Sequence, residues 1–280
     1  MNYLITGASG FIGSNVMKYA LSENNVVYSS TRKVNNFFKK NCNQNPIWIT
    51  KPFYEITDNE LKNFDIIIHC AAAGVSPQKV SREKMYEINV QKTFEFFKKA
   101  INCEIKIFIS IGTCLEYGYG GNIYKKIPSY AQLEPISDYA KTKSLVFKKM
   151  YQYSRMSNIK FLHIRLFNVY GIGQNENNFW PSLLKAAKEG KDFEIKKSKY
   201  IRDFVKVEDA AKFIIDKSKD SILKNGSPLV INYGSGKGIT LLDFAKNEWI
   251  RLKAKGKIIN HSFNSDNKEV IRIVSDNTIY

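Results

Sequence analysis

The sequence has few of the side chains that build a metal centre. Its 280 residues include three histidines and four cysteines. The histidines, at positions 69, 163 and 261, are far apart, and no two cysteines have the C-x-x-C spacing of a zinc or redox site. We therefore expect no metal site. Cys70 and Cys103 lie in apolar stretches, which favours a place for both in the core.

Long apolar runs are also missing. No stretch reaches the roughly 18 apolar residues that a membrane-spanning helix needs, and the first residues lack the pattern of a signal peptide. The apolar content of 44% is typical of a folded globular protein. We expect a cytoplasmic protein with no membrane partner.

Acidic residues are scarce relative to basic ones, with 26 Asp and Glu against 43 Lys and Arg and a net charge of +17. Such a charge could indicate nucleic acid. The cations are spread along the chain, however, and no basic run alternates with aromatic residues as in a nucleic-acid-binding module. We expect no nucleic-acid partner, and we interpret the charge as compositional, with a general attraction for anionic ligands.

Glycine is regularly spaced near the start of the chain. Residues 3–16 read Y-L-I-T-G-A-S-G-F-I-G-S-N-V, a short apolar run followed by Gly7, Gly10 and Gly13. The first glycine permits a turn, the second lets the backbone approach a pyrophosphate, and the third lets a helix lie close on its strand. The helix N-terminus, at Phe11 and Ile12, supplies N–H donors and partial positive charge. This pattern predicts a dinucleotide site.

The end of the second predicted strand, 26–30, indicates which dinucleotide binds. A carboxylate about 20 residues beyond the glycines would bind the ribose 2′-hydroxyl of NAD. The sequence instead has Thr31, Arg32 and Lys33 there. A hydroxyl and two cations suit a 2′-phosphate, which guanidinium binds in a bidentate way. We predict NADPH as the cofactor over NAD; the alternative is that Arg32 is a solvated loop charge.

Strand and helix patterns alternate through the first 165 residues. Further strands are predicted at 47–49, 64–70 and 105–111, and helices at 11–23, 58–63 (with Asp58 near its cap), 83–102 and from Tyr139 onwards. The strand at 64–70 runs into Ala71, Ala72 and Ala73, small residues that leave room for a cofactor. The alternation predicts an α/β fold with a Rossmann-type doubly wound parallel sheet. We expect an NADP-binding domain at 1–165 and mainly a smaller C-terminal substrate-binding lobe at 166–280, with some return to the first domain.

Three side chains have the pattern of an acid–base site. Tyr139 and Lys143 share one helix face at i and i+4. A Lys ammonium stabilises phenolate, so we expect it to lower a Tyr pKa that is otherwise about 10. The tyrosine could then exchange a proton near neutral pH. Thr113, at the end of the strand at 105–111, can hold the same substrate oxygen.

With these residues the sequence resembles the extended short-chain dehydrogenase/reductase family, also known as the NAD-dependent epimerase/dehydratase family, in its nucleotide-sugar branch. The resemblance covers almost the whole chain. Besides the three side chains above it includes residues 6–13, 68–72, Asn89, 165–171, 201–205 and 232–236.

The resemblance implies that Thr113, Tyr139 and Lys143 handle a proton while a nicotinamide carries the hydride, with Lys143 also orienting the ribose. It further implies that Asn168 and Arg202 contact the diphosphate of a sugar nucleotide. The alternatives are a capping asparagine and a surface arginine that pairs with its neighbour Asp203. A homodimer through the helices at 84–101 and 140–154 is also implied.

The residues after Thr113 narrow the reaction within that family. Sugar-nucleotide 4,6-dehydratases carry an Asp-Glu pair there, whereas this chain has Cys114 and Leu115, which cannot serve as acid and base. The segment 112–118 resembles that of reductases acting on 4-keto-6-deoxy sugars attached to dTDP or CDP, such as abequose/paratose synthases and dTDP-fucose-forming reductases.

We therefore expect NADPH-dependent reduction of the C4 ketone of a nucleotide-linked 4-keto-6-deoxyhexose, as in bacterial surface-polysaccharide (lipopolysaccharide) deoxysugar biosynthesis. The alternative is a nucleotide-sugar 4-epimerase with tightly held NAD. A more remote alternative is a non-catalytic NADP-binding sensor on the same fold. The joint presence of Thr113, Tyr139 and Lys143 speaks against the sensor.

Overall fold

The computed structural model describes residues 1–32, 45–75, 79–261 and 269–280. Lys33, part of the predicted cofactor contact, lies outside these ranges. The strands of the first part are β1 (Asn2–Thr6), β2 (Val26–Ser30), β3 (Ile47–Ile49), β4 (Ile66–His69), β5 (Ile107–Thr113) and β6 (Lys160–Leu166). The helices between them are α1 (Phe11–Ser22), α2 (Asp58–Leu61), α3 (Arg82–Tyr86), α4 (Thr93–Asn102) and α5 (Asp138–Ser154).

Shorter strands follow in the second part. They are β7 (Asn168–Tyr170), β8 (Phe193–Ile195), β9 (Ile201–Lys206), β10 (Leu229–Tyr233), β11 (Gly238–Thr240), β12 (Ile258–Asn260) and β13 (Arg272–Ile273). The helices are α6 (Phe179–Glu189), α7 (Val207–Ser218) and α8 (Leu241–Arg251). Within the described ranges, no helix is long and apolar enough to cross a membrane.

Seven parallel strands form the central sheet in the order β10-β6-β5-β4-β1-β2-β3. The order 3-2-1-4-5-6 within it is that of a doubly wound dinucleotide-binding sheet, whose ligand lies at the carboxyl ends of the strands where the order reverses. Here the reversal lies between β1 and β4. The predicted Rossmann-type α/β fold is confirmed.

Both faces of the central sheet are buried under helices. Successive residues of a strand point to opposite sides, so each strand contributes to both faces. Tyr3 and Ile5 of β1 pack with α1 and α7 on one face, whereas Leu4 packs with α4 and α5 on the other. Apolar strands without alternating polar residues are what a sheet covered on both sides requires. Cys70 packs against the first cluster and Cys103 lies in the second, as predicted.

The second part of the chain divides between the central sheet and two smaller ones. β10 pairs with β6, and α7 packs on α1, so these elements return to the central sheet. β9 pairs with β7, β11 and β13, and β8 pairs with β12. The strand β7 follows β6 after one residue, which places the β7–β9 sheet next to the carboxyl end of the central sheet.

Local details differ from the sequence predictions at three places. The predicted helix 83–102 is interrupted by a π-helical turn at Glu87–Lys92. The predicted helix 58–63 ends at Leu61; Asp58 lies next to the cap, as predicted, and the cap Thr57 forms a reciprocal capping box with Glu60. The predicted strand 105–111 instead spans Ile107–Thr113, so that Thr113 is its last residue.

Candidate active site

The glycine-rich turn joins β1 to α1 without bulky side chains. Gly7 has a φ of +68°, and a Cβ on it would lie 2.7 Å from the amide nitrogen of Ala71 on the neighbouring strand end. A Cβ on Gly13 would lie 2.3 Å from the carbonyl oxygen of Gly7. Gly10 caps α1 with no side-chain hydrogen bond, so the amides of the first turn face outward without a protein cap. The turn therefore fits a bound pyrophosphate.

A buried histidine joins the ends of β1 and β4 behind this turn. The hydroxyl of Thr6 lies 2.9 Å from Nδ1 of His69, and Nε2 of His69 lies 3.2 Å from the hydroxyl of Thr93. The Ala71 amide donates to Thr6 Oγ1 at 3.4 Å. Burial, and secondarily the charge of Lys143, lower the pKa of His69 to about 3. His69 is thus a neutral structural link between the strands.

The Ala71–Ala73 turn after β4 is held by Asn89, which lies in the π-helical turn. The Ala73 amide donates to Asn89 Oδ1 at 2.7 Å, and Asn89 Nδ2 donates to the Ala73 carbonyl at 2.9 Å and to Thr142 Oγ1 at 3.0 Å. Thr142 in turn donates to the carbonyl of Tyr139 at 2.8 Å. One asparagine therefore connects the small-residue turn to the helix that carries Tyr139 and Lys143.

Thr113 is the last residue of β5 and the cap of a short turn, Cys114–Glu116. Its hydroxyl oxygen accepts from the Leu115 amide at 3.3 Å, and the same hydroxyl forms a hydrogen bond with the Cys114 side chain. The carboxylate of Glu116 accepts from the Thr113 amide at 2.9 Å and completes a capping box. Sequence reasoning missed Glu116, although the T-x-x-E spacing of a capping box was the signal for it.

Tyr139 and Lys143 lie in the first turns of α5, which begins after the Ser137 cap. Tyr139 is half-buried and Lys143 is 4% exposed. Burial raises the pKa of Tyr139, and the charge of Glu116 raises it further. Burial lowers the pKa of Lys143. The predicted lowering of the Tyr139 pKa is therefore wrong for this structure, because burial and a nearby carboxylate favour the protonated phenol.

The end of β2 places Thr31 against the glycine-rich turn. Thr31 is 5% exposed, and its hydroxyl donates to Ser9 Oγ at 2.8 Å. Arg32 follows and is exposed. The structure thus brings a hydroxyl pair and a guanidinium to the edge of the predicted nucleotide site.

Asn168 and Arg202 lie on the paired strands β7 and β9. Asn168 Nδ2 donates to the Asp203 carbonyl at 3.4 Å. Arg202 donates to the carbonyls of Ile201, Val270 and Ile271 at 2.8–3.0 Å, and its guanidinium lies 4.9 Å from the Tyr200 ring centroid. The ion pair with Asp203, one of the alternatives drawn from the sequence, is not formed among the described residues.

The carboxylate of Asp203 has other partners. It accepts from the amides and hydroxyls of Ser235 and Ser275 and from the Gly236 amide, at 2.6–3.0 Å. These bonds tie β9 to the loop after β10 and to the last residues of the chain. Asp203 is therefore a structural residue, and its neighbour Arg202 is oriented independently of it.

The two residues that replace the dehydratase carboxylates have different surroundings. Cys114 is buried, and desolvation raises the pKa of its thiol to about 12, so it is a neutral thiol at physiological pH. Leu115 is 42% exposed directly beside Thr113. Neither side chain can exchange a proton with a substrate near neutral pH.

Comparison with known proteins agrees with this geometry. Residues 3–219 match the model of the NAD dependent epimerase/dehydratase family. Over 273 residues the chain is 28% identical to UDP-glucose 4-epimerase of Lactobacillus helveticus, covering 88% of this chain and 80% of the relative. Over 251 residues it is 28% identical to CDP-abequose synthase of Salmonella typhimurium, covering 86% and 77%.

Solved structures share the fold at lower identity. UDP-glucose 4-epimerase of Thermotoga maritima, solved with UDP-glucose, superposes with a TM-score of 0.82 at 21% identity, over 99% of this chain and 90% of that one. UDP-glucuronic acid 4-epimerase of Bacillus cereus, solved with UDP-glucuronic acid and NAD, gives 0.82 at 22% identity over the same shares. The family model covers more than half of the chain, and the glycine-rich turn and the positions of Thr113, Tyr139 and Lys143 agree with it. The chain therefore belongs to the NAD dependent epimerase/dehydratase family.

Proposed function

We propose that the chain is an NADPH-dependent reductase of the C4 ketone of a dTDP- or CDP-linked 4-keto-6-deoxyhexose. The observation that carries the proposal is the end of β2, where Thr31 and Arg32 follow the strand beside the glycine-rich turn in place of the acidic residue that binds the ribose of NAD. A protonated Tyr139 is what the oxygen of a reduced ketone needs. An enzyme that first oxidises an alcohol needs a base at the same position.

The residues of the glycine-rich turn fit a dinucleotide. Gly7, Gly10 and Gly13 leave the backbone accessible, and the uncapped amides at Phe11 and Ile12 point at the site where a pyrophosphate would lie. Ala71, Ala72 and Ala73 would border the nicotinamide half, and Lys143 would bind the ribose. When bound, the cofactor supplies the hydride that reduces C4 of the sugar.

The chain's own residues manage the oxygen and the proton. The hydroxyl of Thr113, at the end of β5, would donate to the substrate oxygen in place of its hydrogen bond to Cys114. Tyr139 transfers its proton to that oxygen as negative charge develops there. Lys143, buried on the same helix at i+4, would place a positive charge near the phenolate that remains.

The preference for NADPH rests on the end of β2. Thr31 and Ser9 offer hydroxyls and Arg32 offers a guanidinium at the place where NAD-binding relatives of this fold carry an acidic residue. A carboxylate would repel the 2′-phosphate, whereas these groups attract it. We expect Arg32→Asp to weaken NADPH binding about tenfold or more while NADH binding stays within about twofold, since one charge-assisted contact contributes about 1.5–3 kcal/mol.

The proposed substrate class rests on Leu115, Asn168 and Arg202. The exposed apolar side chain of Leu115 beside Thr113 suits a methyl group at C6 better than a hydroxyl. Within the described residues, three of the five N–H donors of Arg202 bind backbone carbonyls, which leaves two for a diphosphate. Asn168 would donate to the same diphosphate. The similarity to CDP-abequose synthase supports a deoxysugar nucleotide.

A 4-epimerase with tightly held NAD is the second candidate. It is favoured by the similarity to UDP-glucose 4-epimerases. An epimerase interconverts its sugars without net loss of cofactor and retains NAD through purification, so the two candidates differ in a simple assay.

The test is the absorbance of NADPH at 340 nm with purified protein and dTDP-4-keto-6-deoxyglucose, run in parallel with NADH and with the CDP-linked ketone. We expect loss of NADPH equal to the sugar added. No loss with any pair, together with NAD released on denaturation and conversion of UDP-glucose, would replace the reductase by the epimerase.

We further propose that the chain forms a homodimer through the helices at 84–101 and 140–154. Leu145 and Tyr86 on these helices are exposed, and Phe94 is only partly buried. Light scattering on the purified chain should give twice the monomer mass. Leu145→Glu should reduce it to the monomer value by placing a charge in an apolar contact.

A further inference from the structure

Arg202 is a half-buried cation that has no carboxylate partner among the described residues. Its hydrogen bonds go to the carbonyls of Ile201, Val270 and Ile271, which carry no net charge. A cation that is withdrawn from water is normally matched by an opposite charge. A bound anion would supply the charge that these three carbonyls do not.

The guanidinium donors that the carbonyls leave over are on Nε and Nη2. Nη1 donates to the carbonyls of Ile201 and Ile271, and Nη2 donates once, to that of Val270. Within the part of the chain that the structure describes, the Nε–H and one N–H of Nη2 remain. These two nitrogens form one side of the planar fork, and parallel N–H bonds from such a side bind two oxygens of one phosphate group.

The strand that carries Arg202 lies beside the turn that follows Thr113. Ile273 on β13 is the register partner of Arg202 on β9, and it packs in one hydrophobic cluster with Cys114. Asn168 of β7 donates to the backbone of β9 one residue beyond Arg202. Arg202 is therefore close to the residues between which the proposed substrate would lie.

The aromatic ring of Tyr200 packs against the Arg202 guanidinium. Tyr200 directly precedes β9, and residues two apart in an extended chain point to the same side. The central carbon of the guanidinium is 4.9 Å from the ring centroid, within the range of a cation–π contact. Tyr200 is only 6% exposed, so little water competes with this contact.

The backbone of Tyr200 is held by elements other than those that bind Arg202. The Tyr200 amide donates to the Lys197 carbonyl at 3.0 Å, and the Leu241 amide at the start of α8 donates to the Tyr200 carbonyl at 2.8 Å. The ring is thus a fixed surface on which the longer arginine side chain can lie.

A second cation lies against the same ring but is already neutralised. Lys197 Nζ is 5.0 Å from the Tyr200 centroid and donates to the Glu269 carboxylate at 2.6 Å. Arg202 has no such carboxylate among the described residues. Of these two cations, Arg202 is the one whose charge is available to an anionic ligand.

We propose that Tyr200 is a positioning residue of the substrate site: its ring holds the Arg202 guanidinium so that Nε and Nη2 face the diphosphate of the nucleotide. Without the ring, the arginine side chain keeps more rotamers in the unbound chain and loses them when the diphosphate binds, which lowers affinity. This role rests on the proposed nucleotide-sugar substrate. It does not depend on the reaction at the sugar, because a reductase and an epimerase would bind the same diphosphate.

The test is the affinity of the full chain for dTDP, CDP and UDP, each measured by NMR titration of the nitrogen-15-labelled protein, which also reaches millimolar dissociation constants. Tyr200→Leu removes the ring and keeps an apolar side chain. We expect it to weaken the tightest of the three nucleotides about tenfold, or about 1.4 kcal/mol, the size of a cation–π contact away from water. Tyr200→Phe keeps the ring and should bind within about twofold of the unchanged chain.

Arg202→Gln separates a role through Arg202 from a general packing role. In that background, adding Tyr200→Leu should change the affinity less than about twofold, because the cation that the ring holds is already gone. Equal tenfold losses with and without Arg202 would indicate packing alone and overturn the proposal. Unchanged affinity in Tyr200→Leu, or binding of none of the three nucleotides by the unchanged chain, would overturn it as well.

Tyr19→Leu is the matched control. The Tyr19 ring also contacts an ammonium, with Lys212 Nζ 5.5 Å from its centroid, but it belongs to α1. It should leave nucleotide affinity unchanged. If Tyr200→Leu does not fold, phenylalanine with one, two or three ring fluorines in place of Tyr200 keeps the shape of the ring and weakens its negative face. Affinity should then fall with each fluorine, and equal affinity across the series would refute the proposal.

Activity gives a second readout. In the reductase assay, Tyr200→Leu should raise the KM for the sugar nucleotide about tenfold with kcat within about twofold, since the diphosphate is bound alike before and during the reaction. A lower kcat at an unchanged KM would contradict the proposal. If the unchanged chain binds a nucleoside diphosphate but reduces no ketone, the proposed reaction fails while the binding experiment still decides the role of Tyr200.

Discussion

Replacing Asn89 should lower both the free energy of unfolding and the affinity for the cofactor, because this residue holds the Ala71–Ala73 turn in place. It is buried in the π-helical turn and makes three hydrogen bonds, two to Ala73 and one to Thr142. Asn89→Ala removes all three and leaves the amide and carbonyl of Ala73 without these partners. At about 1 kcal/mol for each bond, we expect the free energy of unfolding to fall by about 3 kcal/mol.

The effect should also appear in cofactor binding. The Ala71–Ala73 turn is held in place by Asn89, and a turn that must be ordered on binding reduces affinity. We expect NADPH to bind about tenfold more weakly, which corresponds to about 1.4 kcal/mol. Urea unfolding followed by circular dichroism measures the first effect, and fluorescence titration with NADPH measures the second.

Two variants serve as controls for Asn89→Ala. Asn89→Asp keeps the acceptor for the Ala73 amide but loses both donors. Its free energy of unfolding and its NADPH affinity should therefore lie between those of the alanine variant and those of the unchanged chain. Asn59→Ala, on the exposed face of α2, should change stability by less than about 0.5 kcal/mol. Equal stability of Asn89→Ala and Asn59→Ala, or unchanged NADPH affinity in the former, would refute the reasoning.

Two further predictions concern protons. Tyr139→Phe should lower turnover about 10²–10⁴-fold with little change in NADPH affinity, because it removes the acid–base group alone; turnover that survives in the 340 nm assay would exclude Tyr139 as the acid. His69 is held neutral in the folded chain with a pKa of about 3, below its ordinary value of 6.5, so the unfolded chain binds its proton first as pH falls. Its contribution to stability is therefore complete above about pH 6.5 and is lost progressively towards pH 3. Between pH 7 and pH 5 the loss should be about 2 kcal/mol, since one pKa unit corresponds to about 1.36 kcal/mol. His69→Gln should show a loss smaller by that amount in urea unfolding at the two pH values, and an equal loss in both proteins would contradict the assignment.

Predictions from the sequence succeeded where neighbouring residues decide the outcome. The glycine-rich turn, the strand at 26–30 and the short strand at 47–49 depend on local backbone freedom and on apolar runs, and the structure has them at the predicted places. The helix at 83–102 was predicted as continuous because its apolar spacing is regular. In the π-helical turn inside it, Asn89 bonds to Ala73 and Thr142, two partners that the spacing does not reveal.

The candidate acid–base residues show the same contrast between features set by sequence neighbours and features set by distant residues. The i and i+4 spacing of Tyr139 and Lys143 placed both on one helix face, which the structure confirms. Spacing carries no information on burial, however, and burial together with Glu116 reverses the expected direction of the Tyr139 pKa shift. Similarly, Arg202 and Asp203 are adjacent in sequence but point to different partners, because successive strand residues face opposite sides.

The sequence by itself determined the parallel sheet, the glycine-rich turn and the common helix face of Tyr139 and Lys143. These follow from strand–helix alternation, from the need for glycine where a Cβ would collide, and from the i and i+4 spacing of the two side chains. Only the tertiary structure decided the electrostatics of the site, because His163 and Arg165, which are 47 and 49 residues away in sequence, surround the buried carboxylate of Glu116. A pKa depends on the charges and water that surround a group in space, and those are set when distant strands come together.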